Sequence, residues 1–318
     1  MSKLRGAIAA IATPITDAFE PDIDRFTTLA NHLLANGCDG LNVLGTTGEA
    51  TSFSRDQRFR VMAAAAERSD PSRMMVGVGA SALADAIALT RRAAELGFAG
   101  ALALPPFYYK GVPDLGVAAY FEAILQATSA QPVPLYLYHY PALSGVPFTP
   151  GLVDLLLKNS GGRIVGLKDS SGDMAYARGV AAQNPGFAVF PSTEAVLLDA
   201  RAGQFAGCIS ATANLNSGLC RRAFHDGDAA ALRSAVAIRQ LFDGKPLVAG
   251  VKAGLAHLQD DSTFSRTMPP LAPWRAAEQA QLARDLDRLR RRASMKGSEP
   301  MILPSIRSSV DERPAFPL

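Results

Sequence analysis

Cysteine is scarce in this chain and nowhere clustered: Cys38, Cys208 and Cys220 form no CxxC pair. An odd, widely spaced set argues against a disulfide framework and a cysteine-bound zinc, and implies free thiols in a reducing cytoplasm. His32, His225 and His257 share no metal-ligand spacing, so no metal centre is expected. No apolar run approaches the roughly 20 residues of a membrane helix. The first residues, Met1 to Gly6, lead into a strand without the long apolar stretch of a secretion signal. Charge of one sign is lacking too, the net being only +3. Much of it comes from Arg284, Arg288, Arg290, Arg291, Arg292 and Lys296, which reads as a solvated helix end rather than a nucleic-acid grip. These absences describe a soluble chain with neither nucleic acid nor membrane as partner.

What is present is alternation. Hydrophobic residues make up 48% of the chain, enough for a sizeable core. Short apolar runs at 7–12, 40–44, 75–78, 101–104, 135–138, 164–168, 188–190 and 207–210 read as buried parallel strands. Amphipathic stretches separate them, with Leu29, Leu33 and Leu34, or Leu152, Leu155 and Leu156, at helical spacing. Thr149-Pro150 marks a helix start, and Gly37 and Gly97 mark helix ends. Eight strand–helix units in series predict an α/β fold that closes as a (β/α)8 TIM barrel. The rival, an open doubly wound sheet, usually carries GxGxxG after its first strand; Gly77-Val78-Gly79 is too little to count. Helices are expected near 216–226, 229–242, 248–258 and 276–292. The chain thus divides into a barrel (1–225), a helical extension packed on it (226–293) and an extended, proline-bearing tail (294–318).

In such a barrel the active site lies at the carboxyl ends of the strands. The sixth run ends in Gly166-Leu167-Lys168-Asp169-Ser170-Ser171-Gly172-Asp173. A lone ammonium at the end of an apolar strand is costly to keep charged, and a free amine can attack a ketone to form an imine. The alternative is a lysine whose stem packs on the barrel while its head reaches water. Lys110, Lys158, Lys245 and Lys252 compete for the role, but none closes an apolar strand so cleanly; Lys252 lies in an apolar helix. The second strand ends in Gly45-Thr46-Thr47-Gly48-Glu49, where two glycines allow a turn whose successive N–H groups converge on a carboxylate. The fourth leads into Pro105-Pro106-Phe107-Tyr108-Tyr109-Lys110 and the fifth into Tyr138-His139-Tyr140-Pro141. An amine, a phenol, two hydroxyls and an anion nest are the equipment for an imine with a 2-oxo acid.

With GTTGE at Gly45–Glu49, YxxP at Tyr138–Pro141 and GLKDSSGD at Gly166–Asp173, the chain resembles a known family from about Arg5 to Arg292. This is the pyruvate-dependent class I aldolase family that includes dihydrodipicolinate synthase and N-acetylneuraminate lyase. The resemblance implies that Lys168 forms the imine, which needs no cofactor, and that Tyr138 is the acid and base. It further implies that Thr46 links Tyr138 to Tyr108 reaching in from a neighbouring subunit. The backbone at Thr46, Thr47 and Gly48 would hold the pyruvate carboxylate. A homotetramer, a dimer of dimers, in the cytoplasm is the implied assembly.

Departures from the family pattern narrow the substrate. Synthases of the lysine precursor usually carry arginine two residues after the YxxP proline; here that residue is Leu143, which cannot replace a bidentate guanidinium. Ser54, Ser81 and Asp85 stand where regulated synthases hold feedback lysine. Pro141-Ala142-Leu143-Ser144-Gly145 and Ser170 resemble the sialic-acid lyases instead. Glu194 keeps half of the polyol-binding pair, Thr193 standing for its aspartate, and Ala211 follows Ser210 where serine is usual. The expected substrate is a 2-keto-3-deoxy sugar acid or similar hydroxylated 2-oxo acid, bound in part by Ser170, Glu194, Ser210 and Leu143. Dihydrodipicolinate synthesis, dehydration of a 2-oxo acid on the same imine, and non-catalytic sensing of 2-oxo acids are the alternatives. His139 reads as a packing residue, Trp274 as packing for the extension; Tyr109 and Tyr140 either line the pocket or support it.

Overall fold

A computed structural model describes residues 4–294 of the chain. Its strands are β1 Gly6–Ala10, β2 Gly40–Val43, β3 Met74–Gly77, β4 Gly100–Ala103, β5 Leu135–His139, β6 Ile164–Asp169, β7 Ala188–Pro191 and β8 Gly207–Ser210. Each of the eight apolar runs in the sequence becomes one of them. They pair in parallel in the order β7-β6-β5-β4-β3-β2-β1-β8. The Ala206 N–H, donating to Val189 O at 3.0 Å, draws the two outer strands together, so the sheet forms a nearly closed barrel.

The helices are α1 Ile23–Ala35, α2 Arg55–Arg68, α3 Leu83–Glu95, α4 Asp114–Ala127, α5 Pro141–Ser144 and α6 Pro150–Asn159. They continue with α7 Met174–Gln183, α8 Leu197–Arg201, α9 Ala213–Arg221, α10 Ala229–Gln240, α11 Leu247–Gln259 and α12 Ala276–Ser294. Local chemistry starts several of them. The Thr149 hydroxyl accepts the Leu152 N–H ahead of Pro150, as the sequence implied. Ser54 and Gln57 form a reciprocal capping box on α2. The helix expected at 216–226 begins earlier, because β8 turns straight into α9, and a wider π-type turn at Arg222–Asp226 follows. Helix α12 extends through Ser294, where the sequence places the start of the tail; residues 295–318 lie outside the described residues.

Period-two alternation divides the strand residues into two cores. Side chains such as Ala9, Val43, Val76 and Leu167 face the helices. Ile8, Ala10, Met75, Leu102, Tyr136, Phe190 and Ile209 fill the barrel. The Tyr136 ring occupies the middle of that interior. A Cβ at Gly166 would lie 2.6 Å from Tyr136 Cδ1, and one at Gly100 2.5 Å from Cε2, so both strands give up a side chain to admit the ring. A filled floor leaves open space only above it, at the carboxyl ends of the strands. The three thiols are free and buried, and burial pushes Cys38 up to about 12.

Candidate active site

A cavity of about 740 Å³ opens over that floor. Strand register decides who enters it. Tyr138 on β5 pairs with Lys168 on β6, and both point inward, in phase with Tyr136 and Gly166. The Lys168 side chain rises over the Tyr138 ring, Nζ lying 4.3 Å from the ring centroid. Lys168 is only 3% exposed, so the alternative of a head reaching bulk water does not hold. No carboxylate among the described residues lies within ion-pairing distance of its Nζ. The Tyr138 hydroxyl lies 3.1 Å from Thr46 Oγ1, across the barrel mouth on the loop after β2.

That loop is held from outside. Leu44 (φ 52°) and Glu49 (φ 56°) bracket it in the left-handed region, which costs a side-chain-bearing residue of order 1 kcal/mol. The restraint that offsets this strain is Glu49 itself. Its carboxylate pairs with the buried Lys252 of α11 and accepts the Met268 N–H at 2.6 Å. Burial lowers the pKa of Lys252, while Glu49 opposes the shift. The competing lysine is therefore a strut that ties the GTTGE loop to the helical extension.

The GLKDSSGD turn is built from its own side chains. Asp169 accepts the Ser171 N–H at 2.9 Å, and burial raises its pKa. Asp173 caps α7, accepting from Ala175 and Tyr176. On the outer face of β5, His139 stacks on Tyr176 with ring centroids 4.4 Å apart and accepts the Phe148 N–H. Burial pushes it down to about 4, so it is a neutral packing residue at pH 7.

Of the residues singled out in the sequence, Lys168, Tyr138, Thr46, Thr47, Ser170 and Leu143 line the cavity together. Gly48, Tyr108, Glu194 and Ser210 do not. Gly48 lies under the loop, where a Cβ would meet Ile11 O at 3.1 Å. Tyr108 is 74% exposed on the chain surface, edge-on to Tyr109. Ser210 follows Ile209, and alternation turns its side chain out of the barrel. There Glu194 Oε1 accepts from Ser210 Oγ at 2.9 Å, from Asn216 at 3.2 Å and from Thr212. Glu194 is wholly buried behind the wall.

Of the two tyrosines the sequence left open, Tyr140 lines the cavity. Other lining residues escaped the sequence reading: Pro246–Ala249 at the start of α11, Pro270–Ala272 and Arg239 of α10. Trp274 fixes this roof: its indole donates to Pro246 O at 3.0 Å and packs on Phe242. Nothing in the local pattern separates Arg239 from the solvated Arg233 of the same helix. Only the docking of α10 on the barrel distinguishes them. Among the described residues no group of three or more His, Cys, Asp and Glu side chains is placed to hold a metal ion, and no helix is long and apolar enough to cross a membrane.

Against known proteins, residues 3–289 match the model of the Dihydrodipicolinate synthetase family. An uncharacterized DapA-like lyase of Chloroflexus aurantiacus is 34% identical over 295 residues, 91% of this chain and 98% of that protein. The dihydrodipicolinate synthase of Agrobacterium tumefaciens superimposes with a TM-score of 0.83 at 27% identity, covering 89% of this chain and 99% of that one. YagE, a prophage protein of the dihydrodipicolinic acid synthase family from E. coli K12, solved in complex with pyruvate, gives 0.82 at 26% identity over 91% and 99%.

Proposed function

The chain belongs to the dihydrodipicolinate synthetase family and is a lyase of it; from that premise we propose that it makes or breaks a carbon–carbon bond through an imine between Lys168 and pyruvate. The observation that carries the reading is the buried amine, free of a carboxylate partner, 4.3 Å over the ring of a phenol bonded to Thr46. In the cleavage direction, Lys168 Nζ adds to the keto carbon of the 2-oxo acid, and the carbinolamine loses water to give the iminium. Tyr138 takes the proton from the hydroxyl at C4. The C3–C4 bond breaks, the aldehyde leaves, and the electron pair remains on the enamine of pyruvate. Protonation at C3 and addition of water then release pyruvate and restore the amine. Thr46 supports the proton relay, and the backbone at Thr46 and Thr47 holds the carboxylate. The imine supplies the electron sink, so the reaction requires no other cofactor.

The substrate proposed is a 2-keto-3-deoxy sugar acid or a similar hydroxylated 2-oxo acid. Leu143, at the mouth of the cavity, offers no bidentate grip on a short amino-semialdehyde. Dihydrodipicolinate synthesis is the second reading, favoured by the likeness to the Agrobacterium enzyme. The surface Tyr108 fits a homotetramer in which it reaches a neighbour's Thr46. Pyruvate release from 2-keto-3-deoxygluconate tests the choice. Release at a useful rate supports sugar-acid cleavage; loss of water without pyruvate would make the enzyme a dehydratase, and rapid condensation of pyruvate with aspartate semialdehyde alone would restore the second reading.

A further inference from the structure

Lys168 and Arg239 are the cations that line the cavity, among the described residues. They enter from different elements, β6 and α10. The imine chemistry proposed above uses Lys168 and leaves Arg239 without a task. Its guanidinium is also poorly used by the protein. Arg239 Nη1 forms an ion pair with the buried Glu194 Oε2 at 3.7 Å, too long for a hydrogen bond, and lies 3.5 Å from Ser210 Oγ, at the limit of one. A guanidinium has five N–H donors, so most of its hydrogen-bonding capacity remains to be met. Glu194 meanwhile directs its other oxygen, Oε1, to Ser210, Thr212 and Asn216.

The surroundings add to the same field. Helix α11 begins at the cavity with Leu247, Val248 and Ala249, and no side chain caps it, so the positive end of its dipole lies at the same space. Glu49, the carboxylate that lines the cavity, is neutralised by Lys252. Arg239 also bears on Tyr140, drawing its pKa down against the larger upward push of burial. The wall formed by α10 and α11 therefore brings a guanidinium, loosely paired with Glu194, and an uncapped helix start to the cavity, whereas Leu143 of α5 is apolar.

We propose that Arg239 binds a second anionic group, a carboxylate or phosphate, at the far end of the aldehyde portion of the substrate, supplying from α10 the cation that Leu143 does not. This rests on the lyase reading and deepens it: the preferred substrate is a dianion, with one anion at the GTTGE loop and the other at Arg239. A bidentate guanidinium–oxyanion contact separates charged from neutral ligands by about tenfold or more in affinity.

The test compares kcat/KM in condensations of pyruvate with glyceraldehyde, glyceraldehyde 3-phosphate and succinic semialdehyde, for the wild type, Arg239→Met and Arg239→Lys. Wild type should favour at least one charged aldehyde over glyceraldehyde by about tenfold or more, through KM. Arg239→Met should collapse that ratio and Arg239→Lys should restore part of it; the phosphate and carboxylate arms tell which anion is held. A residue that merely balances Glu194 would lower all three reactions together and leave the ratio unchanged, which overturns the proposal. So does a wild type that prefers glyceraldehyde, a result that needs no variant to fold. Borohydride trapping with pyruvate alone separates the two ideas: an adduct with a flat ratio leaves the lyase reading standing, whereas no adduct removes that reading itself.

Discussion

Among the described residues two lysines are withdrawn from water, and they have opposite surroundings. Lys252 sits in the middle of α11 against a carboxylate, Glu49, which arrives from 203 residues away in sequence. Lys168 sits at the end of β6 over the face of Tyr138, with no carboxylate in ion-pairing reach among the described residues. Burial alone does not mark a reactive amine. The partner decides: a buried lysine held by an acid joins two parts of the fold, and one left facing a phenol inside a cavity is available to a substrate.

The comparison breaks most readily at Lys168. Lys168→Ala should lower turnover by at least about 10³-fold, because it removes the group that bonds to substrate, with little change in the denaturation midpoint. Lys252→Met should do the reverse. Removing one member of a buried pair costs roughly 3–5 kcal/mol, so urea or thermal denaturation should show a large loss while folded protein still forms its adduct at Lys168. Restoring neutrality with Glu49→Gln in the same chain should recover part of that stability. If instead the Lys252 variant is stable and fails to form the adduct, the two lysines have been assigned the wrong way round.

A finer test concerns the phenol. Tyr138→Phe keeps the ring beneath Lys168 and removes only the hydroxyl bonded to Thr46. It should slow turnover by on the order of 10²-fold, with trapping of pyruvate at Lys168 still detectable. The smallest effect lies on the outer face of the same strand. Burial holds His139 at about 4 against its ordinary 6.5. The unfolded chain therefore takes up this proton first, and stability from His139, full above pH 6.5, declines as pH falls toward 4. The loss is at most about 3 kcal/mol, read as a shift in urea midpoint that should flatten in His139→Asn.

Much of this was legible in the sequence, for physical reasons. Strands buried on both faces read as unbroken apolar runs, so all eight of β1–β8 stood out. Lys168 stood out because a charge closes one of those runs. The strut was only half legible: Lys252 was visible as a lysine in an apolar helix, but its acid lies in a distant loop. The family resemblance suggested a polyol site at Ser210 and Glu194, yet the alternation of β8 sends Ser210 outward to meet Glu194. Arg239 carried no local mark at all, since an arginine on an amphipathic helix faces water or a cavity according to how that helix docks.

Reduction with borohydride in the presence of pyruvate, followed by peptide mass mapping, tests the central claim most directly. The account predicts a single adduct on the peptide that contains Lys168, present in Lys252→Met and absent in Lys168→Ala. An adduct on the peptide of Lys252, or none on either, would contradict it.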